Sequence, residues 1–190
     1  MLEQIHLFFV LSFILLLQGC GEPEVEGSYY RLDRCRQELL ASEDIDKSEK
    51  IDKIVVQKKE HKMYLYRQGE VVATFPVSLG KNPIGRKRQR GDNKTPEGEF
   101  YIEKKLCSPK YYRSLCISYP DPKTRQEAQR RGVDPGGEIT IHAQPTWNAD
   151  GHADTYTLSH DWTQGCIAVT NDTMKKLWYA VAEGVPITIK

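Results

Sequence analysis

Asp161-Trp162-Thr163-Gln164-Gly165-Cys166-Ile167-Ala168-Val169-Thr170 sets a cysteine between a glycine and a short apolar run that reads as a strand. A thiol becomes a useful nucleophile when it is partly exposed, has a base nearby, and sits beside backbone N–H groups that can hold a developing oxyanion. Gly165 lets the backbone approach a substrate closely, because no Cβ stands in the way. The competing reading is a buried cysteine at a strand end, since free cysteine is among the most buried residue types. The surrounding chain has to decide between the two.

Working outward, the region from Ile51 to Lys190 is a series of short β-like runs separated by turn residues. Ile54–Val56, Lys62–Tyr66 and Val71–Val77 come first, the last two joined at Gln68-Gly69 like a hairpin. Gly98–Ile102, Cys116–Tyr119, Glu138–His142 and Val185–Ile189 continue the series. Two helices fit between them: Lys123 to Arg131, ended by Gly132, and Asn171 to Glu183, ended by Gly184. Thr170 or Asn171 would cap the second, whose apolar face is Met174, Leu177, Trp178 and Val181. Strands outnumber helices. The pattern predicts a mostly-β domain over 51–190, a sandwich or open barrel with two packed helices.

His142 ends one of these strands, 24 residues before Cys166. A histidine at a strand end is often structural; beside a Gly-Cys strand start it becomes a reasonable general base. His152 and His160 lie between the two, but their spacing matches no structural zinc pattern, so no metal is expected. The loop Gly80–Gly98 is dense in turn formers yet lacks the Gly-Lys-Ser/Thr pattern of a phosphate-cradling loop. The long polar stretch Ala143 to Asp161 suggests a lid or substrate wall. Lys and Arg number 27 against 26 Asp and Glu, which gives no reason to expect nucleic acid, although Lys81 to Arg90 is locally basic.

The first 20 residues read as a targeting segment, because the apolar run Leu7–Leu17 has signal-peptide length and is short for a membrane span. Leu17-Gln18-Gly19-Cys20 resembles the lipobox of bacterial lipoproteins, which implies lipidation of Cys20 and anchorage on the periplasmic side of the cell envelope. Residues 21–50 read as a polar tether with one short amphipathic helix, Tyr29 to Leu40. Export implies an oxidising compartment. Cys107 and Cys116, flanking the Pro109–Tyr112 turn, are then expected to pair, the alternative being two free core cysteines; Cys35 is left as an odd thiol.

Taken together, Gly91-Asp92, Thr95-Pro96-Glu97-Gly98 with Phe100, Ile141-His142 and Gly165-Cys166-Ile167 resemble the L,D-transpeptidase catalytic domain (YkuD-like) family over roughly Ile51 to Lys190. The resemblance implies a mostly-β fold and a cysteine enzyme that acts on peptidoglycan stem peptides without a cofactor. Cys166 would be the nucleophile and His142 the base. The backbone N–H groups of Gly165 and Cys166 are candidate oxyanion donors. The acceptor would be a second stem, an envelope lipoprotein, or water in a hydrolase on the same scaffold; a non-catalytic peptidoglycan-binding module is the remaining reading. The family often carries Ser-His-Gly-Cys, an apolar residue, then Arg or Asn. Here Thr163-Gln164 precede Gly165, and Ala168 stands at the Arg/Asn position. Thr163, His160 and Gln164 are therefore the helper candidates, and the Lys81–Arg90 loop a candidate source of a carboxylate-binding cation.

Overall fold

The computed structural model describes residues 29–43 and 50–190. The expected targeting segment, with Cys20, lies outside them, as do residues 21–28 and 44–49 of the expected tether. No helix among the described residues is long and apolar enough to cross a membrane.

Eight strands form the domain: β1 Lys53–Gln57, β2 Lys62–Arg67, β3 Glu70–Pro76, β4 Gly98–Ser108, β5 Tyr112–Ile117, β6 Thr140–His142, β7 Ile167–Ala168 and β8 Pro186–Ile189. They lie side by side in the order β3-β2-β1-β8-β4-β5-β6-β7. The β2–β3 connection is the expected two-residue hairpin. Gln68 and Gly69 both take positive φ (52° and 84°), the backbone twist that tight hairpins favour. Beyond β3, Ser78 exchanges two backbone hydrogen bonds with Ala168 of β7 (2.9 and 2.8 Å). The two edges of the sheet therefore meet, and the closure brings the start of the Gly80–Gly98 loop beside the Cys166 turn.

Apolar side chains from alternate strand positions fill the interior, among them Ile54, Val56, Met63, Leu115, Ile141, Ile167 and Ile187. Helix α4, Asn171–Ala180, buries Met174, Leu177 and Trp178 against them, and the Thr170 side chain caps it by accepting from Thr173 N–H. It stops short of the expected Glu183. Val181 turns extended to bridge Ile51, and Ile51 N–H binds Ala180 O at 2.8 Å. Helix α2, Pro122–Arg130, has Pro at its start and Asp121 as cap.

The strands β4 and β5 run further towards their shared turn than the apolar pattern indicates. Lys105 and Arg113 interrupt that pattern, yet both are buried. Lys105 Nζ donates to Ser42 Oγ and Trp178 O, and Arg113 pairs with Glu38. Ser42 and Glu38 belong to α1, Tyr29–Glu43, the helix expected between 29 and 40. It packs on α4, β4 and β5 as part of the same body.

The same helix corrects the expected disulfide. Cys107 is bonded to Cys35 of α1, and Cys116 is a free, buried thiol. In the β4–β5 ladder Cys107 faces Arg113 and Cys116 faces Lys104. The two cysteines are thus offset by three residues, about 10 Å along the strands, beyond the reach of a disulfide.

Candidate active site

β6 and β7 run parallel, with Ile141 opposite Ile167 and His142 opposite Ala168. One step back in this register, Cys166 lies beside Thr140, whose hydroxyl donates to Sγ at 3.6 Å. The thiol also points to Glu138 O, 3.7 Å away, and is partly exposed. Thr140 and His142 are two residues apart and so share a face of the sheet. His142 is the diagonal neighbour of Cys166 on that face.

His142 is buried, and its tautomer is set by the backbone. Nδ1 lies 2.7 Å from Ala143 O, an acceptor only, so Nδ1 carries the proton and Nε2 keeps its lone pair. The Tyr111 ring stacks on the imidazole at 3.8 Å between centroids, and Trp162 meets it edge-on at 5.6 Å. Desolvation in this aromatic setting pushes the His142 pKa down to about 4, outweighing the opposite effect of the Ala143 hydrogen bond; the nearby Lys110 charge adds to the depression. At neutral pH the ring is therefore uncharged.

The Cys166 turn is braced from two directions. Thr163 Oγ1 donates to Cys166 O at 2.8 Å and accepts from Gly165 N–H at 3.0 Å. That second bond removes the Gly165 N–H from the oxyanion role expected of it, because the φ of +129° turns the group inward to Thr163. The Cys166 N–H meets no acceptor among the described residues and is the donor that remains. On the other side the Gly91–Gly98 loop presses on the turn. A Cβ at Gly165 would meet Lys94 O at 2.7 Å, and one at Gly80 would meet Asn93 O at 2.2 Å. Thr95 holds that loop in place, its buried Oγ1 accepting from Gly80 N–H at 2.9 Å. The Thr-Pro-Glu-Gly element thus serves as a buttress.

Thr163 is accordingly a support for the turn. His160 and Gln164 are both exposed; His160 leans on Tyr156, and none of its described contacts reaches Cys166. The Ala143–Asp161 stretch is held as a wall, with Asn148 tied to Gln144, Ala153, Asp154 and Asn171. No cluster of three or more potential metal ligands occurs among the described residues. Thr140, Tyr111 and Trp162 had no assigned role in the sequence. The two-residue spacing of Thr140 and His142 was the available signal for the first; stacking between distant segments has none.

Residues 51–189 match the L,D-transpeptidase catalytic domain (YkuD). The chain belongs to this family. Among solved structures, Bd1075 of Bdellovibrio bacteriovorus aligns with this L,D-transpeptidase-family chain at 26% identity, over 74% of it and 48% of Bd1075, with a TM-score of 0.53. The helical cell shape determining protein Pgp2 of Campylobacter jejuni shares the fold at 22% identity, over 86% of this chain and 55% of that one, TM-score 0.54. An L,D-transpeptidase from Mycobacterium smegmatis aligns at 17% identity over 72% and 57% of the two chains, TM-score 0.48. The chain spans about half the length of these solved proteins. No curated protein matches it.

Proposed function

We propose that the protein is a cysteine-dependent L,D-transpeptidase of the bacterial envelope, acting on peptidoglycan stem peptides through an acyl-enzyme on Cys166. The observation that carries this reading is a partly exposed thiol on the same sheet face as a neutral histidine whose tautomer the backbone sets, two residues along the paired strand, within a family domain.

In the first half-reaction the Cys166 proton passes to His142 Nε2 as the sulfur attacks the scissile carbonyl carbon. The oxyanion forms beside the Cys166 N–H. When the intermediate collapses the C–N bond breaks, and the departing amine takes the proton back from the imidazolium. A buried imidazolium is a strong acid, which favours that second transfer. A thioester remains. The amine of a second stem then attacks it, and the thiol is regenerated. The Thr140 hydroxyl, aimed at Sγ, stabilises negative charge on the sulfur in both halves.

Incubation with purified muropeptides tests this. Cross-linked products, together with a thioester adduct on Cys166 by mass spectrometry, are expected. Trimmed stems alone would replace the transferase by a hydrolase on the same residues. Binding without any turnover would overturn the catalytic reading. The placement of the enzyme, through a lipid on Cys20, forms part of the proposal: Cys20→Ser should move the protein to the soluble periplasmic fraction.

A further inference from the structure

The tip of the β4–β5 hairpin carries Lys110 and Tyr111 in sequence, and it lies directly over the histidine. The Lys110 ammonium sits 5.1 Å from the centre of the Tyr111 ring, which is itself stacked on His142. Beside this stack opens a cavity of about 200 Å³. Hairpin residues Lys110 and Tyr111, Ala143 and Gln144 after β6, and Asp172 and Lys175 at the start of α4 line it. The Ala143 that lines it is also the residue whose carbonyl holds the His142 proton.

Lys110 and Lys175 are exposed, and neither meets a carboxylate among the described residues. Three of the five cations of the basic loop, Arg86, Lys87 and Arg90, differ in this respect. Arg86 pairs with Glu127, Lys87 with Asp92 and Arg90 with Asp134, so the loop holds its own folds and that of α2. Ala168 is fully buried under the Ser78 bridge and offers no polar group.

The chemistry of the proposed reaction places a negative charge near His142. The leaving amine has to come within hydrogen-bond distance of the imidazole to recover its proton. When the leaving group is a terminal amino acid, its carboxylate carbon is two covalent bonds from that amine, so the carboxylate falls within about 6 Å of the ring nitrogen. Lys110 is the charged side chain whose field reaches His142, and a lysine stem is long enough to swing across one aromatic ring.

We infer that the cavity between the β4–β5 hairpin and the start of α4 is the subsite for the leaving group, with Lys110 as the specificity-determining cation for the terminal carboxylate of the stem and Lys175 as a second cation at its rim. The inference rests on the proposed peptidoglycan activity and deepens it. Tyr111 both lines the subsite and stacks on the base.

The test compares a stem tetrapeptide bearing a free terminal carboxylate with the same peptide as its terminal amide. For Lys110→Ala, KM for the free acid should rise about tenfold with kcat little changed, the effect of losing one charge-assisted contact. KM for the amide should not move. Lys110→Arg should restore most of the difference, and Lys110→Glu should widen it. Lys175→Ala should give a smaller effect in the same direction. Equal effects on both peptides would assign Lys110 a merely structural role through Tyr111 and overturn the subsite; no effect on either would do the same. The inactive Cys166→Ala protein supplies an independent arm by calorimetry. If the wild-type enzyme turns over neither peptide, the parent reading fails, yet tighter binding of the acid than of the amide, lost with Lys110→Ala, still supports the subsite. Equal binding of acid and amide rejects it.

Discussion

At the scale of single residues, the proposed reactive pair is defined by what each atom can donate. Cys166 supplies sulfur, and its replacement by Ala removes one atom from a partly exposed turn held by Thr163 and by the Lys94 backbone. Cys166→Ala should therefore abolish turnover and leave the thermal midpoint within a degree or two, as activity assays and melting curves would show. For His142 the prediction lies in the pH profile. In the proposed reaction the neutral ring is the active form, and its pKa is pushed down to about 4 by burial. The acid limb of kcat/KM should accordingly fall near pH 4 and not near 6.5. Tyr111→Ala would let water reach the imidazole and relieve that desolvation. Its acid limb should move up towards 6.5; a limb that stays near 4 would show that the stacked ring does not set the basicity.

At the scale of elements, α1 is the piece that the β4–β5 hairpin leans on. The Cys35–Cys107 disulfide closes a separation of 72 residues. On the chain-entropy account such a bridge stabilises by about 4 kcal/mol. Glu38 adds an ion pair to Arg113 and a hydrogen bond from Tyr112 OH, next in sequence to Tyr111. Cys35→Ser should lower the urea midpoint substantially, and reduction of the wild-type protein should reproduce the loss. If reduction leaves the midpoint unchanged, the helix is held by its other contacts alone. The Cys166 turn makes a second prediction. Gly165→Ala would drive a methyl against Lys94 O at a φ of +129°, costing about 1–3 kcal/mol or displacing the turn. Since the displaced group carries the thiol, kcat/KM should fall at least tenfold even where the protein still folds.

For the whole molecule, the buried histidine couples stability to pH. The unfolded chain protonates His142 near its ordinary value of 6.5, whereas the folded chain resists until about 4. The unfolded state binds more protons in that window. Stability is therefore fully present above about pH 6.5 and is lost progressively as pH falls towards 4. Asp92, held down to about 2 despite its desolvation by the backbone N–H groups of Arg88, Lys94 and Gln89 and by the Lys87 ammonium, acts further down: its contribution is lost between about 3.8 and 2. Urea midpoints measured from pH 8 to 4 should show the upper slope, and His142→Gln should flatten it. An unchanged slope in that variant would place the titrating group elsewhere.

Much of this molecule was legible in its order of residues. Local periodicity and turn chemistry marked the Gln68-Gly69 hairpin, the strands ending in His142 and starting after Cys166, and the capped helix at Asn171, because each depends on neighbours a few positions away. Other features depend on what packs across the chain. Lys105 and Arg113 lie outside the apolar runs expected as strands, and they are buried because α1 brings Ser42 and Glu38 to them. The partner of Cys107 followed from strand register and the docking of a helix 72 residues away, which spacing between cysteines cannot express. The Gly165 N–H looked available until the turn folded it onto Thr163. Hydrogen-bond direction and burial are set by three-dimensional neighbours, so the proposed nucleophile and base could be named from the sequence, whereas the tautomer, the basicity and the walls of the site were decided only by the tertiary structure.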